Sequence, residues 1–142
     1  MIDIDLIRRK MSRLIMYLDR LAPFGKKSLN EYLADDYLKF SAERLIQLIV
    51  ECAVDINNHV VVENQERPPE DYRSSFKRAA DVKMISPELA KNLQGSASLR
   101  NILVHEYMEI DDKIVLESVS LILQYYPEYL REVDQFLQTI ER

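Results

Sequence analysis

Only two glycines, Gly25 and Gly95, interrupt the 142 residues, and strand-like alternation of apolar and polar side chains is almost absent. So few turn-formers exclude a strand-rich fold with many tight reversals, and the chain is expected to be nearly all-helical. The single cysteine, Cys52, excludes an intramolecular disulfide framework and fits a reducing compartment, with the cytoplasm the simplest expectation. Glu51, Asp55, Asn57, Asn58 and His59 break the apolar stretch from Val50 to Val62, so no transmembrane span is predicted. The N-terminus, with Asp3, Asp5 and Arg8-Arg9-Lys10 in an amphipathic pattern, does not resemble a signal peptide.

Several chemical signatures are missing as well. His59 and His105 have no cysteine partner and no His-x3-His or Glu-x-x-His pattern, so no metal site or resident cofactor is predicted. There is no glycine-rich phosphate loop and no serine-nucleophile motif. The net charge of -5 argues against nonspecific binding along a phosphate backbone, and neither a DNA nor a membrane partner is expected. That charge is uneven. Residues 65–105 carry seven Lys or Arg against five Asp or Glu, while residues 106–142 carry three against nine, so a polyanion is expected beside the middle of the chain.

At 47% hydrophobic, the chain can bury a core as one domain spanning residues 1–142. A first helix is predicted from about Asp3 to Leu21, with Ile4, Ile7, Met11, Leu14, Ile15 and Leu18 on one stripe and Pro23 and Gly25 ending it. Ser28-Leu29-Asn30-Glu31 has the form of a capping box. The helix starting there either stops near Asp35-Asp36 or runs on into a long helix from about Tyr37 to Val62. The long helix has too broad an apolar face for a surface helix, which makes it central. Asp55, Asn58 and His59 form a polar patch on it, whose histidine is more simply a satisfied structural group than a ligand.

Asn64 to Asp71, with Pro68-Pro69, is the clearest loop. A third helix is predicted from Tyr72 to about Met84, turning Arg73, Lys77 and Arg78 outward. Ser86-Pro87-Glu88 begins a fourth, expected to reach about Tyr107. Asp111-Asp112 caps a final region in which Pro127 predicts either two helices, 112–126 and 127–141, or one bent helix. The architecture is therefore a bundle of about five helices.

One stretch gathers an arginine, an amide, a histidine and a tyrosine: Arg100-Asn101-Ile102-Leu103-Val104-His105-Glu106-Tyr107. Arg-x4-His alone arises by chance in roughly 15% of chains with this many Arg and His. Requiring the Asn and the Tyr lowers that by about two orders of magnitude. On an ideal helix Asn101 and His105 lie about 40° apart, whereas Arg100 and His105 are separated by about 140°. One straight helix aims both at a single point only if the arginine reaches around or the helix is distorted; otherwise a second copy of the chain completes the site, which is the arrangement favoured here.

Imidazoles beside guanidinium groups suit metal-free RNA cleavage. A histidine takes the proton of a ribose 2′-hydroxyl, another group protonates the leaving 5′-oxygen, and arginine neutralises charge growing on the phosphorane. Asn101 could orient His105 or a phosphate oxygen, and Tyr107 could bond a phosphate or stack on a base. The plain structural reading has Arg100 paired with Glu106 or a C-terminal acid, His105 bonded to a backbone carbonyl and Tyr107 packed.

The Arg100 to Tyr107 stretch resembles the Arg-x4-His-x-Tyr signature of the HEPN domain family, specifically its HepT-like toxins. The likeness extends over the length, the helical order and the long helix with Glu43-Arg44-Leu45-Ile46-Gln47-Leu48 and Asp55-Ile56-Asn57-Asn58-His59. It implies a homodimeric, metal-independent endoribonuclease, the toxin of a toxin–antitoxin pair, acting on transfer or messenger RNA, with Arg100 and His105 catalytic at the dimer interface. It also implies an MntA-like minimal nucleotidyltransferase antitoxin. That partner would use ATP and Mg to place AMP on Tyr107, blocking the RNA groove, and would assemble with the toxin into a higher hetero-oligomer. The chief alternative is a non-catalytic HEPN-type module that binds a nucleotide or a nucleotidyltransferase; a purely structural helical dimer is the third class.

Overall fold

The structure, a computed structural model, describes residues 1–105 and 109–141. Six α-helices and one 3-10 turn account for its regular structure, and no strand occurs among the described residues. Helix α1 spans Ile4–Leu21, with the Asp3 carboxylate accepting from the Leu6 amide at 3.0 Å. Ile7, Met11, Leu14, Leu18 and Leu21 are its buried stripe; Ile15, expected on that stripe, is 47% exposed at its edge. The chain then tightens into a 3-10 turn, Ala22–Lys26, that buries Phe24.

The capping box forms as expected: the Glu31 amide donates to Ser28 Oγ and the Ser28 amide to Glu31 Oε1. It opens a helix of only five residues, α2 (Leu29–Leu33), which buries Tyr32. Asp35 caps a separate helix, α3 (Asp36–Glu63), through the Tyr37 amide, so the short-helix alternative is the one realised. Along α3, Ala42, Ile46, Ile49, Val50, Ala53, Ile56 and Val60 are buried, and α3 touches each of the other α-helices. By length and composition alone α3 could cross a membrane, contrary to the sequence expectation. Over half of its most apolar window is buried against the rest of the chain, as befits the helix the bundle is built around.

Helix α4 (Tyr72–Asp81) begins on a capping box of Asp71 and Ser74 and ends earlier than expected. Lys83 adopts a φ of 67°, letting the Met84 amide reach the Ala79 carbonyl and the Lys83 amide the Ala80 carbonyl. Gln65, at φ 61°, closes α3 in the same way. These are Schellman closures, a place where glycine is the usual residue. With no glycine at either stop, the sequence carries no local mark of these closures.

Helix α5 (Pro87–His105) starts where Ser86 Oγ accepts from the Leu89 amide, and Glu132 of the last helix accepts from the Ser86 amide. That last helix, α6 (Asp112–Glu141), is continuous through Pro127. Its buried residues flank the proline on both sides, from Val115, Val119 and Ile122 to Tyr126, Tyr129, Val133 and Leu137. Packing outweighs the one backbone bond that proline forfeits. At the centre, the Tyr129 hydroxyl lies 2.7 Å from Asn57 Oδ1 while the Asn57 amide donates to Ser75 Oγ, joining α6, α3 and α4 through one polar chain. Arg8 bridges to Asp134 and Glu141, closing α1 onto α6.

Candidate active site

Arg100 lies one turn before the described end of α5, facing the middle of α3. It is a long cation set against a largely apolar bundle, and such a group needs its charge and donors satisfied. Glu51 does this. Its Oε2 accepts from Arg100 Nε at 3.2 Å and from Nη2 at 3.0 Å, and also from Gln47 Nε2 at 3.0 Å. The side chains are 15% exposed for Arg100 and 28% for Glu51, so the pair is only partly screened by solvent. Tyr72, the first residue of α4, lays its ring under the guanidinium with Cζ 4.1 Å from the centroid, a cation–π contact.

The third direction is taken by Asn101, whose Oδ1 accepts from Arg100 Nη1 at 3.2 Å. Asn101 is the residue that shares a helical face with His105, while the guanidinium itself is held toward Glu51 of α3 and Tyr72 of α4. Three of the five guanidinium N–H groups are engaged by these bonds, leaving one on each terminal nitrogen for a further acceptor. Arg100 pairs with Glu51, and among the described residues with no C-terminal acid. His105 is an exposed residue at the described end of α5. Glu106 and Tyr107, the acid and the tyrosine of the motif, lie outside the described residues.

Two members of the polar patch of α3, His59 and Asp55, take structural roles. His59 Nε2 accepts from the Asp3 amide at 2.9 Å, which fixes the proton on Nδ1 and ties α3 to the start of α1. Asp55 accepts from Lys10 Nζ at 2.8 Å, and this bond holds the Lys10 pKa above its ordinary value. The structural reading of His59 therefore stands. Sequence reasoning missed Glu51 and Tyr72. A signal for Glu51 was present: it is a lone acid between Val50 and Cys52 in the most apolar part of the central helix. Tyr72 carried no signal, because its role depends on how α4 packs on α5.

The arrangement presents a preorganised guanidinium, an amide and a histidine on one helix, a combination suited to binding and polarising a phosphodiester. Comparison with known proteins agrees on the kind of chain this is. The family described as "Ribonuclease HepT-like" matches residues 14–138. The tRNA nuclease HepT of Aphanizomenon flos-aquae is 36% identical over 136 residues, covering 96% of this chain and 92% of the relative. The mRNA nuclease HepT of Shewanella oneidensis is 29% identical over 138 residues, covering 96% and 97%. Among solved structures, the tri-AMPylated Shewanella oneidensis HEPN toxin in complex with MNT antitoxin superposes with a TM-score of 0.83 at 28% identity, covering 92% of this chain and 98% of the toxin. With the motif, the all-helical bundle and these likenesses in agreement, the chain belongs to the HepT-like ribonucleases of the HEPN family.

Proposed function

We propose that this chain is the toxin of a toxin–antitoxin pair, an endoribonuclease that cuts RNA without a metal ion. Its site is Arg100 and His105, set at the interface of a homodimer. The single observation that carries this reading is the anchoring of Arg100: Glu51, Tyr72 and Asn101 fix its direction and leave two N–H groups for a phosphate. A guanidinium held before substrate arrives stabilises developing charge without reorganising. His105 takes up the 2′-hydroxyl proton, and an imidazole of the paired copy or a water returns a proton to the leaving 5′-oxygen. The bond broken is that between phosphorus and the 5′-oxygen; the bond formed joins phosphorus to the 2′-oxygen. Asn101 orients the guanidinium and a phosphate oxygen.

Off-switching follows from the same chemistry. AMP placed on Tyr107 by an MntA-like nucleotidyltransferase, using ATP and Mg, puts phosphate charge two residues beyond His105, where it competes with the RNA phosphate for Arg100. The relatives support this partner: the Shewanella toxin is AMPylated and bound to its MNT antitoxin. The test is intact mass of the chain co-expressed with its neighbouring nucleotidyltransferase, with peptide mapping, beside RNA cleavage in the presence of chelator. Mass steps of AMP on Tyr107, in a chain that no longer cuts RNA while the unmodified chain does, support the proposal. Two unmodified, inactive preparations overturn it and leave the non-catalytic nucleotide-binding module.

A further inference from the structure

Residues 91, 94, 98, 101 and 105 of α5 follow one another at intervals of three and four, so they lie on one face of the helix. All are polar: Lys91, Gln94, Ser98, Asn101 and His105. A helix packed in a bundle ordinarily hides one face and gives the opposite one to mixed polar residues. This stripe differs because it ends at the candidate active site and because a second helix contributes to it. Arg73 of α4 donates from Nη1 to Ser98 Oγ at 3.0 Å, which places its guanidinium on the stripe, one turn of α5 before Asn101.

The three basic residues of α4 are not equivalent. Lys77 lies 3.8 Å from Asp81, and Arg78 lies 3.9 Å from Glu66 and donates to the Arg67 carbonyl. Arg73 hydrogen-bonds the neutral Ser98 hydroxyl, and among the described residues no carboxylate lies within 4.0 Å of it, although its charge adds to the Ser74 hydrogen bonds in lowering the Asp71 pKa. The nearest acid in sequence, Asp71, is turned into the first turn of α4, where its carboxylate accepts from the Ser74 amide at 2.7 Å. Lys91 is exposed and equally without an ion pair among the described residues, and with Gln94 it lines a groove of about 340 Å³ between α4 and α5. Two cations with no carboxylate within 4.0 Å thus stand along a polar helix face, at roughly 10 and 20 Å from His105 by helical rise. Arg73 acts on Asp71 only at longer range, and Lys91 shares its groove with Asp81. Other basic residues, among them Arg9 and Arg13 of α1, are likewise outside any ion pair among the described residues; Arg73 and Lys91 differ in standing on the helix face that runs to His105.

We propose that this face is a track for single-stranded RNA, on which Arg73 and Lys91 hold backbone phosphates one and more nucleotides away from the phosphate at Arg100. The inference rests on the ribonuclease reading and extends it: the site would grip a run of RNA rather than one phosphodiester. Arg73 is suited to the nearer position because a fork of N–H donors can keep Ser98 and still engage a phosphate. The contacts are to the backbone, so they add affinity without reading sequence.

The experiment is fluorescence anisotropy with a short mixed-sequence single-stranded RNA and the His105→Ala chain, which keeps the probe intact. Arg73→Gln and Lys91→Gln are added to it singly. Each is expected to weaken binding about 3- to 10-fold at low salt and to lower the slope of log affinity against log salt by about 0.7, the value for one lost phosphate contact on a single strand. Lys26→Gln removes the same charge from the 3-10 turn, which packs on α1 and α6, and is expected to change neither. Equal losses in all three variants, unchanged slopes for Arg73→Gln and Lys91→Gln, or no RNA binding by the parent overturn the track. So does a weakened dimer in sedimentation with affinity per dimer unchanged. The unsubstituted chain's cleavage is scored separately: cutting with unaltered binding in the variants rejects the track and keeps the nuclease, whereas altered binding without cutting does the reverse.

Discussion

Arg100 and Glu51, 49 positions apart in sequence, meet across α5 and α3 with Nη2 3.0 Å from Oε2, while Tyr72 closes one face of the same guanidinium. Both side chains are less than a third exposed, so the pair lies between surface bridges worth little and buried ones that are costly to break. Glu51→Ala is expected to destabilise the fold by about 1–3 kcal/mol, leaving a half-buried cation with only an amide and a ring. RNA cleavage should fall further, by about 10- to 100-fold, since the arginine loses its direction. Glu51→Gln keeps an acceptor and should recover part of both. Melting curves and cleavage rates on the same preparations check this.

Tyr129→Phe keeps the ring packed against Phe76 and Tyr126 and removes only the hydroxyl that serves Asn57 Oδ1 and lies 3.1 Å from the Ala53 carbonyl. An unsatisfied buried amide oxygen costs about 1–3 kcal/mol. Urea titration should show a lower midpoint at an unchanged slope, since the surface exposed on unfolding is the same.

Lys83→Gly is expected to stabilise the chain by about 0.5–1 kcal/mol. Its φ of 67° is costly for a residue with a Cβ, its side chain is exposed, and the Schellman bonds around it are kept. Lys83→Ala, which keeps the Cβ, should show none of this gain in thermal denaturation.

Burial raises the pKa of the Tyr32, Tyr126 and Tyr129 hydroxyls well above the ordinary value near 10. At alkaline pH the unfolded chain therefore releases protons that the folded chain retains. The contribution is complete below about pH 10 and is lost as the pH rises from there toward the folded-state values. Stability should fall steeply above pH 10, and tyrosinate absorbance should show these hydroxyls ionising together with loss of helicity rather than ahead of it.

Much of this was legible in the sequence because it depends on local chemistry. Helix α1 starts where expected and α5 on its expected Ser86 cap, the Ser28 to Glu31 box forms, and the stretch from Arg100 to His105 sits at the end of one helix. What the sequence withheld is what packing decides. Pro127 sits inside α6 because buried residues on both sides outweigh its missing bond, a balance no local rule contains. Lys83 and Gln65 end helices in a conformation ordinarily assigned to glycine. Glu51 and Tyr72 reach Arg100 only once α3, α4 and α5 are assembled, so the wheel of α5 could place Arg100 away from His105 without showing what holds it there.

The central claim is that Arg100 and His105 cut RNA, and the most direct measurement is the cleavage rate of the purified, unmodified chain and of its Arg100→Ala and His105→Ala variants, with chelator present. The account predicts cleavage by the unsubstituted chain and losses of at least about a hundredfold in each variant with dimer mass preserved; the melting temperature is unchanged in His105→Ala and lowered in Arg100→Ala, which leaves Glu51 without its cation. Cleavage that persists in both variants, or vanishes with chelator alone, would contradict it.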